Sequence, residues 1–525
     1  MRKLFFDSGS SVRHSFRGAT FSLAVTLLAI STSVHAQNPP GFAGQSQPVP
    51  VKPSQAQDRH FLRAPDVLPG TLPEMRDAAY WVARMKEPDA VVMTEARIEK
   101  MNRDFTQKVK DLARIDSSAR KLILDKIDAY PGLYASEPDV FALAPVQLAD
   151  ITRRMIAAQV KYMRHTEFGN ILGIQYAPKE LDRLESEMSS GTIDNELNVQ
   201  PGITVEDVCL RIVPMISPEY IGQPDKNRTR WDVWNLDIVP LGSPVQILHV
   251  SRSGGFLFVL SHNGYGWVHS EKIAMASRSA IDQFAASTRF VVCTGDKIPY
   301  YSSATCRYAS GWFRMGDRLP LAGASNPARL SGGAAASGVR SSGGARAILV
   351  PVRQADGKLE VQQAWLAPDA DAHTGYMPFT RRNVVVQSLK LLDNIYDWTG
   401  AWMGRNHATA LRDIFACFGF RLPSCGELLS VFNDNTRTLY TREGRQRQYE
   451  AVAANEPFIT LQICSSGHSQ LYLGDYNKVP IVYDTHGYNY VDSTGQTLDI
   501  RRSCIETIAL PDYFLKQDVV FVELK

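Results

Sequence analysis

Several functional classes are excluded by what the sequence lacks. A strong charge is absent: 57 Lys and Arg residues against 54 Asp and Glu residues leave a formal net charge of +3 in 525 residues. This balance gives no support to a nucleic-acid partner. Beyond residue 36, no apolar run reaches the roughly 18 residues of a transmembrane helix, so we expect no stable membrane insertion. No close-spaced cysteine pairs predict a zinc site, and no Lys-Ser or Lys-Thr pair closes the Gly-rich run at 323–347, which excludes a P-loop.

The first 36 residues are typical of a secretory signal peptide. Basic residues, including Arg13 and Arg17, precede the apolar run "ATFSLAVTLLAI", and small residues follow up to Ala36. Charged, apolar and small residues in this order indicate cleavage after export. We therefore expect cleavage near Ala36 and a periplasmic or secreted protein, with an uncleaved anchor as the alternative.

The seven cysteines are an odd number, so at least one of them is free or pairs outside the chain. An oxidising compartment permits disulfides. Cys293 and Cys306 flank the short polar turn "TGDKIPYYSSAT", and the sequence predicts these two as a disulfide pair.

Composition and periodicity predict a multidomain α+β chain. Apolar residues recur at helical spacing beyond the linker, short β-rich runs broken by Gly, Pro and Asn follow, and helices then precede strands. The predicted segments are the Pro- and Gln-rich linker 37–70, a helical domain 71–200, a first small barrel 201–280, a second barrel 285–378 with a Gly-, Ser- and Ala-rich insertion 323–347, and an α+β domain 379–525.

The last domain carries the motif "GRNHATALRDIF" at 404–415 and the run "GHSQLYLGDYNKVPIVYDTHGY" at 467–488. These segments resemble the NlpC/p60-type papain-like endopeptidases that cut bacterial cell-wall peptides. In one subgroup of that family, a helical clip domain and two bacterial SH3-like barrels precede the peptidase. The family pattern Asp-Cys-Ser, followed by Arg-Asp-aliphatic-Phe, keeps only its second part here. The resemblance places His407 at the nucleophile position, Asn406 at the preceding Asp and Ala408 at the following Ser.

The resemblance also implies the partners of this position. His468 matches the family's base, and Asp484 falls at the third polar position, with His486 as the alternative. In such a site a helix N-terminus and an imidazole activate the nucleophile, and the third group orients the imidazole. The predicted catalytic set is therefore His407, His468 and Asp484.

Four residues are predicted to bind substrate. Tyr396 and Trp398 match an aromatic pair upstream of the family's nucleophile, where Thr399 replaces the first of two glycines. Asn406 adjoins the nucleophile position. Trp267 belongs to an aromatic set in the first barrel, some of whose rings we expect to line a groove for glycan or stem peptide.

Other chemistry stays open at this stage. Cys417, Cys425 and Cys464 are alternative nucleophiles, as is the imidazole of His407 itself. If the papain-like geometry holds, His407, His468 and Asp484 would be a credible zinc set, although no cofactor is expected. The remaining alternative is a neutral His407 that is hydrogen-bonded to His468 in a cleft without catalytic activity.

The sequence therefore favours an exported peptidoglycan-binding protein with a degenerate, inactive or strongly altered endopeptidase domain. Its expected partners are the stem peptides of the cell wall. One alternative is an active stem-peptide endopeptidase that uses a cysteine or a metal. The other is a periplasmic protein whose barrels dock a protein partner.

Overall fold

The structure is a computed structural model. It describes residues 62–114, 144–165, 168–169, 176–215, 220–221, 232, 234–323, 344–400, 404–424, 426–430, 432–439, 444–487, 489–492, 494–508, 510 and 517–525. The predicted signal peptide and most of the predicted linker lie outside these residues. None of the helices described there has the length and apolar character to cross a membrane.

The N-terminal helices pack into two different cores. The elements are β1 (Leu62–Arg63), α1 (Ala78–Val82), β2 (Val91–Met93), α2 (Glu95–Arg114), α3 (Pro145–His165), β3 (Phe168–Gly169) and α4 (Pro178–Met188). Trp81 of α1 and Ile98 of α2 are buried against the last domain. Met155 of α3 and Met188 of α4 are buried against the first barrel instead. Helical periodicity predicts an apolar stripe on a helix but not the domain that covers it. The expected helical domain 71–200 therefore combined two groups of helices that pack on different domains.

The first barrel is a seven-stranded antiparallel sheet in the order β11-β4-β8-β9-β10-β5-β7. Its strands are β4 (Gln200–Thr204), β5 (Val208–Arg211), β7 (Asn235–Val239), β8 (Pro244–Val250), β9 (Phe256–Ser261), β10 (Gly264–His269) and β11 (Ile273–Met275); the short β6 (Tyr220–Ile221) pairs with β3. Gly266 allows β10 to approach β5, since a Cβ there would lie 2.6 Å from the Arg211 carbonyl oxygen. Trp267 and Phe258 pack at 5.2 Å between ring centroids in the core.

The second barrel follows α5 (Arg278–Ala285) and consists of two small sheets, β15-β12-β18 and β14-β13-β17-β16. Its strands are β12 (Phe290–Cys293), β13 (Lys297–Tyr301), β14 (Ala309–Arg314), β15 (Arg318–Pro320), β16 (Arg346–Arg353), β17 (Leu359–Leu366) and β18 (Ala372–Thr374). The predicted Cys293–Cys306 disulfide is wrong, because both thiols are free. Cys293 points into the barrel core towards the Gly295 and Phe313 carbonyls, whereas Cys306 lies in the turn after β13.

The last domain packs helices on an antiparallel sheet in the order β20-β27-β21-β22-β23-β26. Its elements are β19 (Phe379–Thr380), α6 (Arg381–Lys390), α7 (His407–Ala416), α8 (Gly426–Leu429), β20 (Thr436–Leu439), α9 (Arg445–Ala453), β21 (Thr460–Cys464), β22 (Ser469–Tyr476), β23 (Val479–His486), β24 (Asn489–Val491), β25 (Thr497–Asp499), β26 (Arg502–Thr507) and β27 (Val519–Glu523). Helix α7 packs on β22 and β23. The α+β multidomain class is confirmed.

The N-terminal segment is joined to this domain by strand pairing as well as by packing. Strand β1 lies parallel to β25, and β2 lies antiparallel to β19. On α2, the Asn102 side chain donates to the Gly419 carbonyl at 2.8 Å. Residues more than 300 positions apart therefore belong to one packed unit.

Buried ion pairs join α7 to both barrels. Asp413 accepts from Arg314 of the second barrel at 2.9 Å and from Arg405 at 2.8 Å, and Arg412 lies 3.2 Å from Asp237 of the first barrel. Burial raises the pKa of Asp413, but the guanidinium groups of Arg314, Arg412 and Arg405 outweigh it, and the pKa falls to about 2. A buried charge is tolerated only when it is paired, so this network fixes the position of α7.

We predict that Asp413→Ala strongly destabilises the protein, by about 3–5 kcal/mol, since it leaves buried guanidinium groups uncompensated. The thermal unfolding midpoint, followed by circular dichroism, measures the effect. Asp89→Ala is the matched control, because it breaks the exposed Arg382–Asp89 pair and should leave the midpoint unchanged. Equal midpoints for the two variants would contradict the role of the network.

The same carboxylate predicts a pH dependence. Because the folded-state pKa of Asp413 lies near 2 and the ordinary value is 3.8, its stabilising contribution is present above pH 4 and is lost as the pH falls towards 2. Asp413→Asn should flatten this part of the acid unfolding curve. If the free energy of unfolding of this variant falls as steeply between pH 4 and pH 2 as that of the parent, the prediction is contradicted.

Candidate active site

Helix α7 begins at the site that the sequence predicts. The Asn406 side chain accepts from the Thr409 backbone N–H at 2.8 Å, and the Thr409 hydroxyl accepts from the Asn406 backbone N–H at 2.9 Å. This reciprocal capping satisfies two N–H groups that have no partner within the helix. Asn406 therefore still caps the helix at the position where the family has Asp, and His407 is the first helical residue.

The His407 ring is held between a serine and a second imidazole. Its Nδ1 lies 3.1 Å from the Ser469 hydroxyl and 3.3 Å from the Ser469 backbone N–H. The ring centroid lies 4.2 Å from that of His468, with the planes tilted by 43°. Burial, followed by the neighbouring His468, holds the pKa of His407 well below its ordinary value. His407 is therefore a neutral imidazole, and the backbone N–H requires Nδ1 to be an acceptor.

His468 is oriented by a carboxylate. Its Nε2 lies 2.9 Å from each oxygen of Asp484, and Gln470 donates to one of those oxygens at 2.7 Å. Burial raises the pKa of Asp484, but His468 and these hydrogen bonds outweigh it and hold the pKa below the ordinary range. Asp484 is therefore a carboxylate, and it stabilises a proton on His468 Nε2.

Strand pairing explains why residues distant in sequence meet here. His468 directly precedes β22, and its carbonyl accepts from the Cys464 N–H across a tight turn. Asp484 lies on β23, which pairs with β22 along most of its length. The structure brings His407, His468 and Asp484 together, whereas His486 lies farther out, with 6.2 Å between its ring centroid and that of His468. The catalytic role of the three residues stays a prediction.

Two of the three cysteines predicted as alternative nucleophiles, Cys417 and Cys464, lie in the described part of the chain. Cys417 caps the far end of α7, where burial raises its pKa to about 12. Burial also raises the pKa of Cys464 to about 11. A reactive thiol needs a lowered pKa, so neither residue fits the role. Cys425 lies outside the described residues.

The predicted substrate-binding aromatics differ in exposure. Tyr396 is buried against Gly487, where a Cβ would lie 2.6 Å from the tyrosine ring, whereas Trp398 keeps 37% of its surface exposed. The loop that carries Trp398 is tied to the first barrel, because the Asn235 side chain donates to the Thr399 hydroxyl at 2.8 Å. The Asn406 side chain donates to the Trp398 carbonyl at 2.6 Å, which links this loop to α7.

The expectation that Trp267 binds substrate is wrong. The side chain is 0% exposed and packs against Phe258 in the core of the first barrel. Because both faces of the Trp267 ring are covered by the protein, a ligand cannot contact it. Trp231, another member of the aromatic set, lies outside the described residues.

Three further residues of the site escaped the sequence analysis. Ser469 contacts His407, Gln470 contacts Asp484, and Glu506 of β26 lies within 3.3 Å of the Gln470 side chain. The available signal was His468 and Gln470 at alternate positions of "HSQLYL", and Glu506 two residues after Cys504 in "CIETI"; Ser469, on the intervening position, had no such signal. Alternate residues of a strand share one face, so these runs indicate a buried polar face.

The alternative zinc set of His407, His468 and Asp484 does not assemble. Among the described residues, the donor atoms that come within 4.8 Å of one another are those of Asp484, His486 and Glu506.

Comparisons with known proteins bear on the fold. Residues 223–269 match the SH3 domain of SH3b1 type. The fold is similar to that of an NlpC/P60 endopeptidase from Photobacterium damselae subsp. piscicida, with a TM-score of 0.63 and 16% identity over 88% of this chain and 98% of that one. An NlpC/P60 family protein from Bacillus cereus gives a TM-score of 0.37 and 15% identity over 62% of this chain and 100% of that one. No curated protein sequence matches. The predicted resemblance to NlpC/p60 proteins with an SH3-like domain is confirmed at the level of the fold.

We predict that His407 is a neutral imidazole with its proton on Nε2 at pH 7, and that it stays neutral when the pH falls below 6.5. Burial and the neighbouring His468 disfavour a second positive charge. Nitrogen chemical shifts of the histidine rings measure both properties. Ser469→Ala should move the Nδ1 resonance of His407, whereas His373→Gln, an exposed histidine in the second barrel, should leave it in place. A His407 that protonates near pH 6.5 would contradict this description of the site.

Proposed function

We propose that this protein binds peptidoglycan stem peptides in an endopeptidase-like cleft and does not cleave them. The fold it shares with an NlpC/P60 endopeptidase and its SH3-type domain support a role at the cell wall. The observation that carries the proposal is the imidazole of His407 at the N-terminus of α7, packed on His468 at 4.2 Å. We further propose that the protein acts outside the cytoplasm, in the periplasm or after secretion, on the basis of its first 36 residues.

The chemistry of the site explains why the cleft would not cleave a bound peptide. A cysteine endopeptidase needs a thiolate at a helix N-terminus and an imidazole that takes up and returns its proton. Here the helix N-terminus and the base oriented by Asp484 are present, but the first helical residue is a neutral ring. Nδ1 of that ring is engaged by Ser469, so this nitrogen does not attack a carbonyl. Loss of the nucleophile alone costs a hydrolase several orders of magnitude in rate.

Binding does not depend on the nucleophile. Trp398 and Ile395 are 37% and 74% exposed, and both lie on the loop that adjoins the start of α7. Exposed apolar side chains beside a polar site suit a peptide that carries small apolar and charged groups. The Asn235–Thr399 and Asn406–Trp398 hydrogen bonds hold this loop in place, so it is preorganised for a ligand.

One contact favours the alternative of an active hydrolase. The Ser469 hydroxyl lies 3.1 Å from His407 Nδ1, which is the distance between a nucleophile and its base. However, Ser469 is only 1% exposed, and its hydroxyl is enclosed between α7 and β22. A substrate carbonyl therefore cannot reach it without movement of the helix, and the binding function is the better supported of the two.

The function is tested with purified sacculi and soluble stem peptide. We expect the mature protein to co-sediment with sacculi and to release no more peptide than buffer. The combined variant Asn406→Asp, His407→Cys, Ala408→Ser restores the family pattern, and we expect it to release peptide; adding His468→Ala should abolish that release. Peptide release by the unmodified protein, lost in His468→Ala or in Cys425→Ala, would overturn the proposal.

The binding surface is tested separately by titration with the soluble peptide. Trp398→Ala should weaken binding about tenfold, since exposed tryptophans dominate binding energies. Trp312→Ala is the matched control, because this ring is 56% exposed on the second barrel. Equal affinity for the two variants would contradict the role of the loop.

A further inference from the structure

A second polar cluster lies next to the candidate active site. Strands β23 and β26 pair Asp484 with Cys504 and Val482 with Glu506. Because alternate residues share a face, Asp484, His486 and Glu506 lie on the same side of the sheet. Their donor atoms come within 4.8 Å of one another, and the three side chains are 0–1% exposed.

In this cluster, Asp484 has the His468 imidazole as a partner. Glu506 contacts the Gln470 amide at 3.3 Å and the Cys504 thiol at 4.0 Å, and both of these groups are neutral. Within the described ranges, no Lys or Arg side chain forms an ion pair with Glu506. Asp484 and Glu506 are two neighbouring buried carboxyl groups. Their repulsion is relieved either by a proton, since burial and Asp484 raise the pKa of Glu506 well above its ordinary value, or by a cation bound between them.

We propose that Asp484, His486 and Glu506 bind one divalent transition-metal ion. Two carboxylates and one imidazole are donors that Zn²⁺, Fe²⁺ and Mn²⁺ accept, whereas Mg²⁺ and Ca²⁺ prefer oxygen donors alone. The enclosure of all three side chains fits a closed, structural site rather than one that is open to substrate. The ion would link β23 to β26.

The ion would also act on the neighbouring imidazole. Asp484 faces His468 Nε2 with both oxygens at 2.9 Å, so one carboxylate would contact the ion and orient His468. Partners of a metal ligand fix its position in this way. Occupation of the site would therefore hold Asp484 more firmly and, through it, His468. This inference does not depend on the proposed function, because the three ligands are distinct from the residues that would contact a peptide.

The test uses the full mature chain, stripped with a chelator, with Zn²⁺ or Mn²⁺ added alone. Calorimetry should show one ion per chain. The isosteric variant Glu506→Gln and the variant His486→Gln should each weaken binding tenfold or more. Glu456→Gln and His249→Gln are the matched controls, since they replace an exposed carboxylate and a half-buried histidine far from the cluster, and should bind as the parent does.

Ring nitrogen shifts give a second readout that does not depend on affinity. Zn²⁺ should shift the His486 resonance directly and leave the His249 resonance unchanged. Three results would overturn the proposal: no binding at one equivalent, full binding in both Glu506→Gln and His486→Gln, or binding that is lost in His407→Ala but kept in His486→Gln. The last result would place the ion at the imidazole pair instead.

Discussion

The site is governed by the fact that two adjacent buried imidazoles cannot both carry a positive charge. The His407 and His468 rings lie 4.2 Å apart, and Asp484 contacts only the second of them. The carboxylate therefore orients His468, and the His407 ring, whose pKa burial and His468 hold well below its ordinary value, stays neutral. The hydrogen bonds from Ser469 agree with this state, because Nδ1 of a neutral ring accepts them. The N-terminus of α7 thus carries an uncharged imidazole that lies against a second imidazole.

This arrangement depends on the rigid placement of α7. Asp413 joins the helix to the second barrel through Arg314, and Arg412 joins it to the first barrel through Asp237. At the N-terminal end, Asn406 caps the helix and contacts the loop of Trp398. The barrels therefore have a direct structural effect on the cleft, whether or not they also contact the cell wall.

The sequence predicted the fold class and the three residues that meet at α7, because the resemblance rests on motifs that surround them. It did not predict what His407 contacts, since Ser469 lies on a strand whose register only the fold determines. Trp267 was misassigned because aromatic content does not distinguish a barrel core from a groove. The disulfide prediction failed because sequence separation does not fix the direction of two thiols. Glu506 was missed because the most specific motifs of the resemblance end at residue 488, before β26.

The central claim, that an imidazole rather than a thiol stands beside the catalytic-type base, is tested most directly by the alkylation rates of all seven cysteines. Iodoacetamide labelling of the folded protein at pH 6, read by mass spectrometry, compares each thiol with a model peptide cysteine. We expect no site to react faster than the model thiol, and we expect His468→Ala to change no rate. One rapidly labelled cysteine whose rate falls in His468→Ala would show an activated thiol and would contradict the account.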